Sequence, residues 1–186
     1  LAVDVFVQEV RQSWKPRLEQ EKIDQILRNA VKLANFTVYD QSQQFPEFDG
    51  MGTTLVAVLI HGKKATVINV GDSRAYGIDE SGIRQITKDH SLVQLMVDRG
   101  ELTAERAKTY PGKNFITRAI GTEPIVMCDI YHQEVSKGDY LLLCSDGLSN
   151  LMDDQEILFE VVHGVNKQHC CRRLLNIAKN RGAPDN

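Results

Sequence analysis

Between Leu55 and Ile86 the chain strings together short apolar or alternating runs with only tight turns between them. Leu55-Val56-Ala57-Val58-Leu59-Ile60 is a continuous apolar run and reads as a buried strand. His61-Gly62-Lys63-Lys64 is a turn, and Ala65 to Val70 reads as the returning strand of a hairpin. Arg74 to Ile78 follows as a third strand. Ser81-Gly82 turns the chain again, and Ile83-Arg84-Gln85-Ile86 alternates as a short fourth. Parallel neighbours need a crossover of roughly a dozen residues or more, and this stretch has no room for one. The pattern demands antiparallel pairing and excludes alternating βαβ units.

Helical patterns flank this stretch. Val3, Phe6, Val7, Val10 and Trp14 recur at helical spacing before Pro16. Ile23, Ile26, Leu27, Ala30, Val31, Ala34 and Val38 mark a longer amphipathic helix, whose polar end runs through Gln41 to Gln44. Residues 91–109 are predicted helical, with an apolar cluster of Leu92, Val93, Leu95, Met96 and Val97. A new helix opens at Thr103, and Pro111-Gly112 ends it. Met127 to Val135 and Tyr140 to Cys144 read as strands joined by Ser136-Lys137-Gly138-Asp139. Asp153 is expected to cap a helix running to His163, and Gln168 to Arg181 gives the last helix. The fold class is therefore α+β.

The 186 residues suit one domain, with a core large enough to need no disulfide or structural metal. Net charge is −3, with both signs interspersed, so no basic arm argues for nucleic acid. No apolar run approaches the roughly 20 residues of a membrane span, and no secretory signal pattern is present. Cys128, Cys144, Cys170 and Cys171 form no Cys-x-x-Cys pair. They read as reduced, mostly buried thiols of a cytoplasmic protein, Cys170-Cys171 as helix packing.

Four segments bring Gly, Ser or Asp to predicted strand ends, the last three with an Asp: Gly50-Met51-Gly52-Thr53-Thr54, Val70-Gly71-Asp72-Ser73-Arg74, Cys144-Ser145-Asp146-Gly147-Leu148 and Gly182-Ala183-Pro184-Asp185-Asn186. Any one alone reads as a turn. Asp146, however, follows the apolar strand from Tyr140, which can aim its carboxylate into a cleft. Two carboxylates about 4 Å apart repel by roughly 4 kcal/mol at an effective dielectric of about 20. Such a cleft takes up a proton or a cation. Carboxylates, carbonyls and waters suit Mg2+ or Mn2+, and no His-x-x-x-His or Cys cluster competes. Gly50 and Gly52 are read as permitting a tight backbone path beside the site. Asp89 is read as a helix cap, His90 as structural, and Arg74 as the partner of a neighbouring carboxylate. His61, His132, His163 and His169 are read as surface histidines.

Taken in order, those four segments together with Thr87-Lys88-Asp89-His90-Ser91 resemble the metal-dependent type 2C protein serine/threonine phosphatases. Ile116-Thr117-Arg118-Ala119-Ile120-Gly121 resembles the bacterial branch in particular. The resemblance covers residues 50–186 closely and the N-terminal helices loosely. It implies a four-layer α-β-β-α sandwich with a central antiparallel β-sandwich. It also implies a binuclear Mg2+ or Mn2+ centre at one end, where an activated water attacks phosphorus directly. By position, Asp146 and Asp185 match ligands of that centre. Asp72 matches the ligand of a third, weaker site in bacterial members, which Asp146 shares and which the backbone carbonyl near Asn114 completes. Residues 89–121 match the flap beside the active site, a place for substrate selection. The implied partners are phosphorylated proteins, substrates of a cognate serine/threonine kinase, for a monomeric cytoplasmic enzyme.

The family's Arg-x-x-Asn-Glu-Asp and Asp-Gly-x-Gly-Gly-His segments, the second bearing the Asp that bridges both metals, do not occur in these residues. The chain opens on Leu1 without Met and stops in a turn-like segment. We therefore expect 1–186 to be a single, terminally truncated catalytic domain that by itself binds metal weakly and turns over poorly. Two other readings stand. One is a non-catalytic phosphatase-like binding module, which an upstream Asp-Gly-x-Gly-Gly-His would exclude. The other is a serine esterase using Ser73 as nucleophile and His132 as base, after the Gly71-Asp72-Ser73 and Asp129-x-x-His132 pattern. It fits badly, because Asp129 and His132 lie within a predicted strand.

Overall fold

The structure is a computed structural model and describes residues 1–164 and 167–182. Helices α1 (Ala2–Ser13) and α2 (Gln20–Gln44) come first. Strands β1 (Leu55–His61), β2 (Lys64–Val70), β3 (Arg74–Asp79) and β4 (Gly82–Gln85) follow. Short helices α3 (Leu92–Asp98) and α4 (Ala104–Ala107) precede β5 (Asp129–Glu134) and β6 (Tyr140–Cys144). The chain then forms α5 (Asp146–Ser149), α6 (Asp154–His163) and α7 (Cys170–Asn180).

The strands form two antiparallel three-stranded sheets, ordered β1-β2-β5 and β4-β3-β6. The period of two along each strand divides their side chains between two cores. Leu55, Ile68 and Val70 face α1 and α2, where Phe6, Leu27, Val31 and Val38 close a buried cluster. Val67, Ala75 and Ile86 fill the space between the sheets, with Val56, Val58 and Leu141 against them. On the far side, Ile78 packs with Ile157 and Val161 of α6 and Leu174 of α7. The layers are thus helix, sheet, sheet, helix. The Ala and Val positions of α2 recur at three- and four-residue spacing, and each such fully buried Val or Leu contributes about 1.5–3 kcal/mol.

Several local expectations need correcting. Beyond Leu55 the run to Ile60 is not deeply buried: β1 is the edge of its sheet, and Ile60 near its end is 60% exposed. The central strand β2, covered on both sides, is the buried one. The two helices expected within residues 91–109 are present, the second capped by Thr103, but both are short and neither holds a buried residue. A helix as short as α4 leaves most of its backbone groups unpaired within itself, and it ends at Ala107, ahead of Pro111. Of the cysteines only Cys128 is buried; Cys171 is exposed on α7. The expected cap of α6 is present as a reciprocal pair, with Asp153 accepting from the Glu156 N–H and Glu156 accepting from the Asp153 N–H. Among the described residues no helix is long and apolar enough to cross a membrane.

Candidate metal centre

A short link joins the two sheets at one end of the sandwich. Gly71-Asp72-Ser73 carries the chain from β2 in one sheet to β3 in the other. β6 pairs with β3 in a register that sets Arg74 opposite Cys144. Just beyond that pair stand Asp72, two residues before Arg74, and Asp146, two residues after Cys144, at the same end of the sheet. The pairing thus brings together two carboxylates far apart in the sequence. Asp146 opens the single turn α5, and its Oδ2 accepts from Asn150 Nδ2 at 3.1 Å.

Both carboxylates line a cleft of about 510 Å3. Asp89 and Arg74 line it beside them. Gln94, Lys108, Lys113 and Asn114 of the flap form one wall, and Asp153, Asp154 and Glu156 at the start of α6 form another. Burial, and then the charge of Asp146, pushes the Asp72 carboxyl up to about 6. The cleft is lined by more carboxylates than cations: Asp72, Asp89, Asp146, Asp153, Asp154 and Glu156 against Arg74, Lys108 and Lys113. The oxygen-only donors on offer, carboxylates and the Asn114 carbonyls, are those a hard divalent cation prefers. Among the described residues no group of three or more His, Cys, Asp or Glu side chains closes round one point. Asp72 and Asp146 hence fit as two members of a larger ligand set. Asp185 lies outside the described residues.

Arg74 does pair with a carboxylate: Nε and Nη2 donate to Asp89, the closest contact being 2.7 Å. Burial disfavours the Arg74 charge, but the bonds and Coulomb attraction of Asp89 outweigh it and raise its pKa. Asp89 is consequently not the helix cap. Ser91 is, accepting from the Gln94 N–H at 3.2 Å. Gly50 and Gly52 are not among the residues lining the cleft. Gly52 instead lets the backbone pass Thr122, where a Cβ would meet Cγ2 at 2.7 Å, as Thr53 bridges to Ile120. The esterase constellation does not assemble. Ser73 Oγ bonds Thr54 Oγ1 at 2.7 Å, while His132 Nε2 meets Asp24 of α2 at 3.0 Å, and no hydrogen bond joins the two. The reading of the sequence missed how Asp89 and His90 are used. Their one signal was the compact Thr87-to-Ser91 motif, in which each residue has a short-range alternative.

A profile of the family described as Protein phosphatase 2C matches residues 1–176. The chain belongs to this family. Within it, the serine/threonine protein phosphatase PstP of Mycobacterium tuberculosis (strain H37Rv) is 38% identical over 84% of this chain, which spans 30% of that protein's length. The crystal structure of serine/threonine phosphatase Stp1 from Staphylococcus aureus superposes with a TM-score of 0.89 at 37% identity, covering 98% of this chain and 72% of that one. The catalytic domain of PstP in complex with two manganese ions superposes with a TM-score of 0.82 at 31% identity, covering 99% of this chain and 76% of that one. The four-layer α+β sandwich is thus the protein phosphatase 2C fold.

Proposed function

We propose that this protein is a serine/threonine protein phosphatase, hydrolysing phosphoserine and phosphothreonine on proteins at a centre of Mg2+ or Mn2+ ions. The observation that carries the reading is the meeting of Asp72 and Asp146 in one cleft that further carboxylates line. Asp146, Asp185, Asp72 and the backbone carbonyl near Asn114 would hold the ions, with residues 1–186 forming part of one catalytic domain. When bound, such ions stabilise charge on the phosphoryl oxygens and ease deprotonation of the attacking water. Asp89 occupies the Arg74 guanidinium, which leaves Lys108 and Lys113 as the cleft cations nearest in kind to a phosphate partner. The flap, residues 89–121, forms one wall and would select among substrates. Phosphate esters on Ser and Thr are products of a kinase, so the reaction supplying these substrates is that of a serine/threonine kinase.

The test is Mn2+-dependent phosphate release from a phosphothreonine peptide by the full-length protein. Asp146→Asn and Asp185→Asn are each expected to lower kcat by at least about a hundredfold, as removing a metal's anionic ligand does to metal-assisted hydrolysis. Unchanged rates in both would refute the metal assignment.

A further inference from the structure

His90 is only 6% exposed, yet every polar group it owns is engaged. The Gly71 N–H donates to its Nδ1 at 3.0 Å. Its own N–H donates to the Gly71 carbonyl at 3.0 Å, and its carbonyl accepts from the Thr117 N–H at 2.7 Å. Nε2 lies 3.2 Å from Asp129 Oδ2.

These contacts determine the proton. Nδ1 must offer a lone pair to the Gly71 N–H, so a neutral ring carries its hydrogen on Nε2 and donates it to Asp129. Arg118 Nη1 also lies 3.2 Å from Nε2, but it donates to Asp129 Oδ1 at 3.0 Å, which accommodates both donors. Burial holds the His90 pKa below that of an ordinary histidine, which keeps the ring neutral near pH 7.

The ring thus holds the Val70–Gly71 peptide by its N–H, and the His90 backbone holds the next peptide, Gly71–Asp72, by its carbonyl. Gly71 has φ +108°, and a Cβ there would clash with the Thr54 side chain. The link between the sheets therefore takes a path only glycine allows, with its N–H and C=O both turned toward His90. Asn69 adds a bond to the Gly71 carbonyl at 3.1 Å and one to the Lys88 carbonyl at 3.3 Å. The Thr117 bond lies where the flap returns to the sandwich, beside the bridge between Ser91 and Ile116.

We propose that His90 is a positioning residue: its Nε2–H imidazole and its backbone grip the peptides on either side of Gly71, aim Asp72 into the cleft, and tie that link to the root of the flap. The proposal rests on the reading of Asp72 as a metal ligand. An Asn Oδ1 can take the place of Nδ1 and accept from Gly71. A Gln amide reaches instead toward the Nε2 position and leaves the Gly71 N–H unpaired.

The experiment compares His90→Asn, His90→Gln and Asp72→Asn in the full-length protein. It measures Mn2+ binding by calorimetric titration and Gly71 amide protection by hydrogen exchange, at a temperature where circular dichroism shows each variant folded. His90→Gln is expected to lose Gly71 protection and weaken Mn2+ binding by about 10- to 100-fold, the range for residues that orient ligands. His90→Asn is expected to restore both to within about threefold, since it keeps the acceptor. In the unsubstituted protein, imidazole 15N shifts are expected to report the Nε2–H tautomer. The opposite tautomer, or folded His90→Gln binding Mn2+ as tightly as the parent while Asp72→Asn binds it weakly, overturns the positioning role alone. Unchanged Mn2+ affinity in Asp72→Asn overturns the ligand reading and the positioning role with it.

Discussion

The helical layer of α1 and α2 and the flap around α3 and α4 are attached to the same sandwich by different means. In the first, Ala30, Val31 and Ala34 are completely buried, and α2 shares one continuous apolar cluster with β1 and β2. In the flap no helical residue is buried, and Leu92 and Leu95 are 39% and 41% exposed. The flap is held at its roots by backbone bonds: Leu92 N–H to the Phe115 carbonyl, Thr117 N–H to His90, and the reciprocal pair between Thr53 and Ile120. A layer secured by area resists displacement everywhere. A segment secured by a few bonds at its ends keeps its place while its surface can vary, which suits a wall that meets substrate.

The largest effect that distinguishes the two belongs to the core. Leu27→Ala on α2, at 2% exposure, is expected to cost about 2–5 kcal/mol of unfolding free energy, read from urea melts. A cost below about 1 kcal/mol would mean the helical layer is no more tightly secured than the flap. The cleft comes next. Without metal, Asp72 has a folded-state value near 6 against an ordinary 3.8. A raised carboxyl stabilises the fold fully below the unfolded value, and that contribution is lost as pH rises through the folded value. Metal-free protein should therefore lose about 1–2 kcal/mol between about pH 4 and pH 6, after allowing for screening at this half-buried group. Saturating Mg2+ should abolish that slope, and Asp72→Asn should remove it with or without metal. The smallest effect is in the flap. Leu95→Ala is expected to change stability by no more than about 0.5 kcal/mol while altering KM for phosphopeptides more than kcat. A loss of several kcal/mol there would erase the contrast.

Much of this architecture was legible in residue order. The period of two and the tight turns between Leu55 and Ile86 carried the strands and their antiparallel pairing. The spacing of Ile23, Leu27, Val31 and Val38 carried the face of α2. Asp153 and Glu156 carried their capping box, because its partners lie within one helical turn. Asp89 went astray for the converse reason. A polar residue just before a helix has a local role available, and its bond to Arg74 depends on how the loop after β4 folds back over β3. His90 was legible only as a residue without a partner, since Gly71 and Asp129 reach it from two other segments.

By itself the sequence determined the element types, the antiparallel pairing and, through ordered motifs, the family. These follow from local periodicity and from residue types at set spacing, which a linear chain displays directly. Only the tertiary structure decided that Asp72 and Asp146 share one cleft, and that His90 grips the peptide before Asp72. Those facts come from the β3–β6 register and from the link that crosses between the sheets. Register across a sheet is set by which buried faces must meet, and no stretch of sequence shows that alone.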